Sequence, residues 1–121
     1  MKVLLDLKVH AEFLQRLIPY YEHWEEILEE ALRRWRERGG ATVKMFVFGS
    51  VLEGKAIPPS SDIDVLIVLQ QGDLPNIRRR WLSFFRELHP LHPFEFHFAN
   101  QEIFHEWYLP ILKGKYREIE T

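Results

Sequence analysis

A chain of 121 residues, 46% of them hydrophobic and 28% charged, has the composition of a folded domain long enough to bury its own core. A formal net charge of −2 argues against bulk electrostatic attraction to acidic membranes, and no strong nucleic-acid binding is expected. The chain has no cysteine, which excludes a disulfide framework and thiolate metal sites and fits a reducing cytoplasm.

The opening apolar run stops at Asp6, short of what a signal peptide requires, and no stretch reaches bilayer-spanning length. The expected organisation is one cytoplasmic domain over residues 1–121, with a helical N-terminal segment 1–38. Within that segment Leu7, Leu14, Leu17, Ile18 and Tyr21 suggest a first helical stretch, which Pro19 breaks or kinks. Trp24, Ile27, Leu28, Ala31, Leu32 and Trp35 then fall on one stripe of a second helix. Glu29 with Arg33 and Glu30 with Arg34 stand at i, i+4 on its solvated side, and Gly39-Gly40 ends it. The tryptophan stripe reads as core, or as core plus a partner interface.

Two strands follow. Residues 42–48 are β-branched and aromatic, and residues 63–69 (IDVLIVL) form the nearly continuous apolar run of a strand covered on both faces. Gly, Pro and Ser punctuate the loop between them. The next helix runs from about Pro75 to Leu88, with Ile77, Trp81, Phe84, Phe85 and Leu88 at helical spacing. Its Arg78-Arg79-Arg80 run reads as a solvated face. His89, His92 and His97 would suggest a transition-metal site, but their spacing across two prolines matches no standard ligand pattern, and a bare loop is the preferred reading. FEFHF alternates strictly, placing Phe94, Phe96 and Phe98 on one face and Glu95 and His97 on the other; His97 either flanks a metal bound there or is solvated, and the solvated reading is preferred. Asn100 is placed to cap a last helix carrying Ile103, Trp107 and Ile111, which ends near Gly114. The order α, β, β, α, β, α implies an α/β (α+β) sandwich: a small mixed sheet of about three strands with helices packed on it.

Asp62 and Asp64 need a separate explanation. Residues i and i+2 of a strand share a face about 6.6–7 Å apart, so the two carboxylates project together from an apolar strand. Carboxylates buried without a positive partner destabilise the fold, whereas such a pair is a ready ligand set for Mg²⁺. Glu95 becomes a third ligand if its strand lies beside the second. Three carboxylates can hold two ions about 3.5–4 Å apart, the geometry of in-line displacement at phosphorus. Gly49 and Ser50, where the chain leaves a strand, offer backbone N–H groups and a hydroxyl to terminal phosphates.

Phe48-Gly49-Ser50 after an apolar strand, then Gly54, then Ser61-Asp62-Ile63-Asp64 leading the next strand, resembles the hGS…DhD signature of the DNA polymerase β-like nucleotidyltransferase superfamily. The short length points to its minimal members. The resemblance covers the chain from about Trp24 to Phe98 and implies metal ligation by Asp62, Asp64 and Glu95. It also implies nucleotide contacts from Gly49 and Ser50, two Mg²⁺ ions as cofactors and ATP as donor. Many members carry arginines directly after Gly-Ser. Here Val51-Leu52-Glu53-Gly54-Lys55 stands instead, so that Lys55 would supply the charge and Glu53 would oppose it. By the same resemblance the acceptor is a hydroxyl of a small helical partner protein of the higher-eukaryote-and-prokaryote nucleotide-binding class, in a toxin–antitoxin pair. Homo-oligomer formation is left open. The rival reading is a binding module that neutralises or regulates a partner by contact alone.

Overall fold

The computed structural model describes residues 2–121, with side chains described from Asp6 onward. Helices α1 (Lys2–Glu22) and α2 (Trp24–Glu37) precede strands β1 (Val43–Phe48) and β2 (Ile63–Leu69). Helix α3 (Leu74–Leu88), strand β3 (Phe94–Asn100), helix α4 (residues 101–112) and strand β4 (Tyr116–Ile119) complete the order. The four strands form one mixed sheet in the order β3-β2-β1-β4, antiparallel throughout except for the parallel β2–β3 pair. The fold class matches the sequence reading. The fourth strand was not foreseen.

Pro19 does not break α1. Its missing N–H leaves the carbonyl of Gln15 without a helical partner, but both residues are exposed, so water can serve that carbonyl. The helix turns instead at His23, whose N–H still donates to the Pro19 carbonyl at 2.9 Å. Of the pairs expected on α2, Glu30 and Arg34 meet at 2.9 Å, whereas Arg33 also turns to Glu30 rather than to Glu29.

Strand alternation divides the interior in two. Val43, Met45, Val47, Ile63, Val65, Ile67 and Leu69 face α2 and α3, where Leu28, Leu32, Trp35, Trp81 and Phe85 close the larger core. The stripe on α2 is thus core, and Trp35 and Trp81 meet edge to face at 5.3 Å. On the other face Phe46, Leu66, Val68 and Ala99 pack against Phe104 of α4. β2 is accordingly covered on both faces along most of its length, as its apolar run implied.

Asn100 caps α4 as expected, its Oδ1 accepting the Ile103 N–H at 2.8 Å. The middle of the helix, Phe104–Tyr108, winds as a π turn, and the helix stops at Lys113 (φ 51°) before Gly114. The Ile103–Trp107–Ile111 stripe does not become core. Phe104 and Leu112 are buried, whereas Trp107 and Ile111 are 65% and 68% exposed. No described helix is long and apolar enough to cross a membrane.

Candidate active site

α4 leaves one end of its sheet face open, where β1 finishes and β2 and β3 begin. Asp64 lies opposite Phe48 on β1 and beside Glu95 on β3, in parallel register. In that register His97 stands beside Leu66, one same-face step further on. One ligand atom from each of Asp64, Glu95 and His97 lies within 4.8 Å of the others. His97 Nε2 sits 3.3 Å from Asp64 Oδ1, an imidazole N–H donating to the carboxylate, and the ring packs 5.4 Å from Phe48. His97 is therefore not a solvated side chain. The alternation that put it on the face of Glu95 was the available signal, and the hydrogen bond to Asp64 across the strands needed the register.

Asp62 is exposed, one residue ahead of β2, and is not in that group. Its nearest described influence is on Tyr21, whose hydroxyl pKa is raised by burial and then by the Asp62 charge. The Tyr21 hydroxyl donates to the Pro59 carbonyl at 3.1 Å and to the Ser61 carbonyl, so α1 holds the segment that delivers Asp62 and Asp64 into the sheet. Sequence reasoning placed Tyr21 on a helix face and gave no hint of this role.

Gly49 ends β1 with φ 83°, and a Cβ there would stand 2.4 Å from Asp64 Oδ2. Only glycine lets the backbone run this close to the carboxylate. The chain then makes a helical turn: Leu52 and Glu53 N–H donate to the Gly49 carbonyl, and Lys55 N–H to that of Ser50 at 2.8 Å. Ser50 is half-buried at the start of this turn, and Lys55 is exposed beyond it. Glu53 lies 3.7 Å from Lys115, a surface ion pair that offsets part of its charge.

The donor set suits a hard divalent cation. Asp64 and Glu95 supply anionic oxygens close together, the preference of Mg²⁺, and His97 can ligate beside them, as Mn²⁺ accepts, only in the tautomer whose Nε2 carries no proton and so gives up the bond to Asp64.

Two further clusters keep the sequence reading and add contacts to it: residues 89–93 are a loop, and Arg78, Arg79 and Arg80 are exposed. His89 and His92 are packed rather than loose: Tyr20 Oη lies 2.9 Å from His89 Nδ1, and the Phe94 N–H donates to His92 Nδ1 at 3.0 Å. Burial lowers the pKa of both rings, that of His92 to about 4 with help from the His89 charge. The exposed arginines also border grooves. Arg78 and Arg79, with Arg86, line a groove of about 720 Å³ that His97 and Tyr108 also line, so it opens beside the acidic group. Arg80 faces a different groove, beside Arg38 and Gly40.

The family model of the nucleotidyltransferase domain matches residues 25–119. The chain belongs to this nucleotidyltransferase family. The match runs from α2 to the end of β4, and so includes Gly49, Asp64, Glu95 and His97. Among solved structures, a crystal structure of a presumed nucleotidyltransferase is 26% identical and covers 81% of this chain and 98% of its own, with a TM-score of 0.52. A second, from Sulfolobus solfataricus, is 20% identical and covers 77% of this chain and 75% of its own, with a TM-score of 0.45. No curated protein matches the chain.

Proposed function

We propose that this nucleotidyltransferase moves AMP from ATP onto a hydroxyl of a small helical partner protein, acting as the antitoxin of a toxin–antitoxin pair. The observation that carries the reaction is the β2–β3 register, which sets Glu95 beside Asp64 at the uncovered end of the sheet. Asp64 and Glu95 would hold a divalent cation, and Asp62, outside their group at the head of β2, would be the carboxylate for a second ion. A bound cation supplies positive charge against the charge that develops on the phosphoryl oxygens. Gly49 and Ser50 bring backbone N–H groups to the nucleotide phosphates, and Lys55 adds a cation. The acceptor oxygen bonds to the α-phosphorus while the bond from that phosphorus to the bridging oxygen breaks, and pyrophosphate leaves with the electron pair. Glu95 receives the hydroxyl proton, and the hydrogen bond from His97 keeps Asp64 in place.

Support for a protein acceptor comes from α4. Trp107 and Ile111, with Ile103 and Tyr108, line an exposed apolar hollow of about 470 Å³, and a surface tryptophan among aliphatics is typical of protein contacts. The same hollow favours the second reading, a module that acts by contact alone. Labelled ATP incubated with the chain and co-expressed partner separates the two. Label should pass to the partner only with Mg²⁺ or Mn²⁺. Asp64→Asn should abolish transfer, and Glu95→Gln should lower it by orders of magnitude while ATP binding changes little. Neutralisation of the partner without label transfer would establish the contact reading.

A further inference from the structure

We propose that the groove along the open edge of β3 is the docking track of the acceptor, and that it takes an extended acidic peptide segment. The proposal rests on the transfer reading above and adds the chemistry of the segment that presents the hydroxyl.

β3 is the last strand on its side of the sheet, so one row of its backbone groups has no strand partner. The Ile63 N–H donates to the Pro93 carbonyl at 2.9 Å, which fixes the phase of the parallel ladder. Glu95, His97 and Ala99 thereby turn their backbone groups to β2, and Phe96 and Phe98 turn theirs to the open edge. Both phenylalanines line the groove. A peptide can continue the sheet there through its own alternating N–H and C=O groups. A sugar–phosphate chain has no N–H donors at that spacing.

Charge selects the segment. Arg78, Arg79 and Arg86 line the groove, and among the described residues no carboxylate forms an ion pair with any of them. Among the described residues the Arg79 side chain donates only to Asn76 Oδ1, at 3.2 Å, and Arg78 lies 5.9 Å over the Phe98 ring. Arg78 and Arg86 are eight positions apart on α3, about 12 Å at 1.5 Å per residue. Four residues of strand span about 13 Å, so acidic side chains at i and i+4 of a docked strand match the two guanidinium groups. His97 lines the groove and bonds Asp64, so a hydroxyl carried on the same segment is delivered beside the acidic group.

The test is a nuclear magnetic resonance titration of the ¹⁵N-labelled full chain, without nucleotide. The probe is a synthetic peptide alternating glutamate with valine and threonine, taken to millimolar concentration. The Phe96 and Phe98 amide signals should shift and their hydrogen exchange should slow. The matching lysine peptide should do neither. Joint Arg78→Glu and Arg86→Glu substitution, at two exposed positions, should weaken binding by about tenfold or more with an unchanged melting temperature. Silence of the β3 edge at millimolar acidic peptide overturns the proposal. So does an oligothymidylate that shifts these amides where the peptide does not. Transfer is not read in this experiment: peptide binding in a chain that moves no AMP would uphold the track and remove the reaction. Active transfer with a silent edge would do the reverse.

Discussion

Gly49 and Asp64 constrain each other. The φ of 83° alone disfavours any L side chain, and the Cβ position 2.4 Å from Asp64 Oδ2 adds a contact that only movement of the carboxylate relieves. Gly54 separates these two effects, because its φ of 71° is similar while nothing lies within 4 Å of its Cβ position. Gly54→Ala should therefore cost only the backbone term, about 1 kcal/mol, and keep any Mg²⁺- or Mn²⁺-dependent rise in melting temperature. Gly49→Ala should cost more and lose that rise, as differential scanning fluorimetry would show. Equal behaviour of the two variants would mean that Asp64 is not held by the turn. At this scale the sequence was informative about residue type and less so about grouping. Asp64 stood out because an acid inside an otherwise apolar strand needs a reason, whereas Glu95, on the polar face of an alternating strand, did not, and its place beside Asp64 came from the register. The place of Asp62 outside the group, and of His97 inside it, depended on where β2 begins and on a cross-strand register that no local pattern encodes.

Longer elements were read well where one pattern dominated. The α2 stripe, the apolar run of β2 and the strict alternation of β3 each have one low-energy arrangement, and each forms as read. β4 was missed because only Ile119 enters the larger core, while Arg117 and Glu118 are exposed on a four-residue edge strand. Its attachment is long-range: Arg117 reaches Glu25 on α2 at 2.6 Å and stacks over Trp24. α4 was located by its cap, but its buried face was not, since the π turn shifts the phase so that Phe104 and Leu112 pack and Trp107 does not. The cap is the more robust signal and can be tested by itself. Asn100→Ala removes the acceptor for the Ile103 N–H and should cost about 1 kcal/mol, read as a shifted midpoint in urea with unchanged slope. An unshifted midpoint would mean that α4 is held by Phe104 and Leu112 alone.

Stability of the whole molecule should carry an acid limb set by His89 and His92, which join α1, α3 and β3. Tyr20 approaches His89, and Phe85 of α3 lies within 5.0 Å of the His89 ring centroid and 4.8 Å of that of His92. These contacts are made by neutral rings, and burial holds both pKa values below the usual 6.5, that of His92 at about 4. The unfolded chain therefore binds more protons than the folded one between about pH 6.5 and 4, so stability rises with pH through that window. The stabilisation is fully present above pH 6.5 and is lost as the pH falls towards 4, where His92 protonates in the folded state as well. Protonation at Nδ1 would also end the bond from the Phe94 N–H, so the strand that carries Glu95 would loosen at its start. For a half-buried ring the loss, after solvent screening, is on the order of 1–3 kcal/mol. His92→Asn retains an acceptor of similar reach but does not titrate in this range. Urea midpoints measured from pH 7.5 to 4 should fall steeply in the wild-type chain and more gently in His92→Asn. Parallel curves for the two would remove His92 from the acid limb and leave His89 and the carboxylates to account for it.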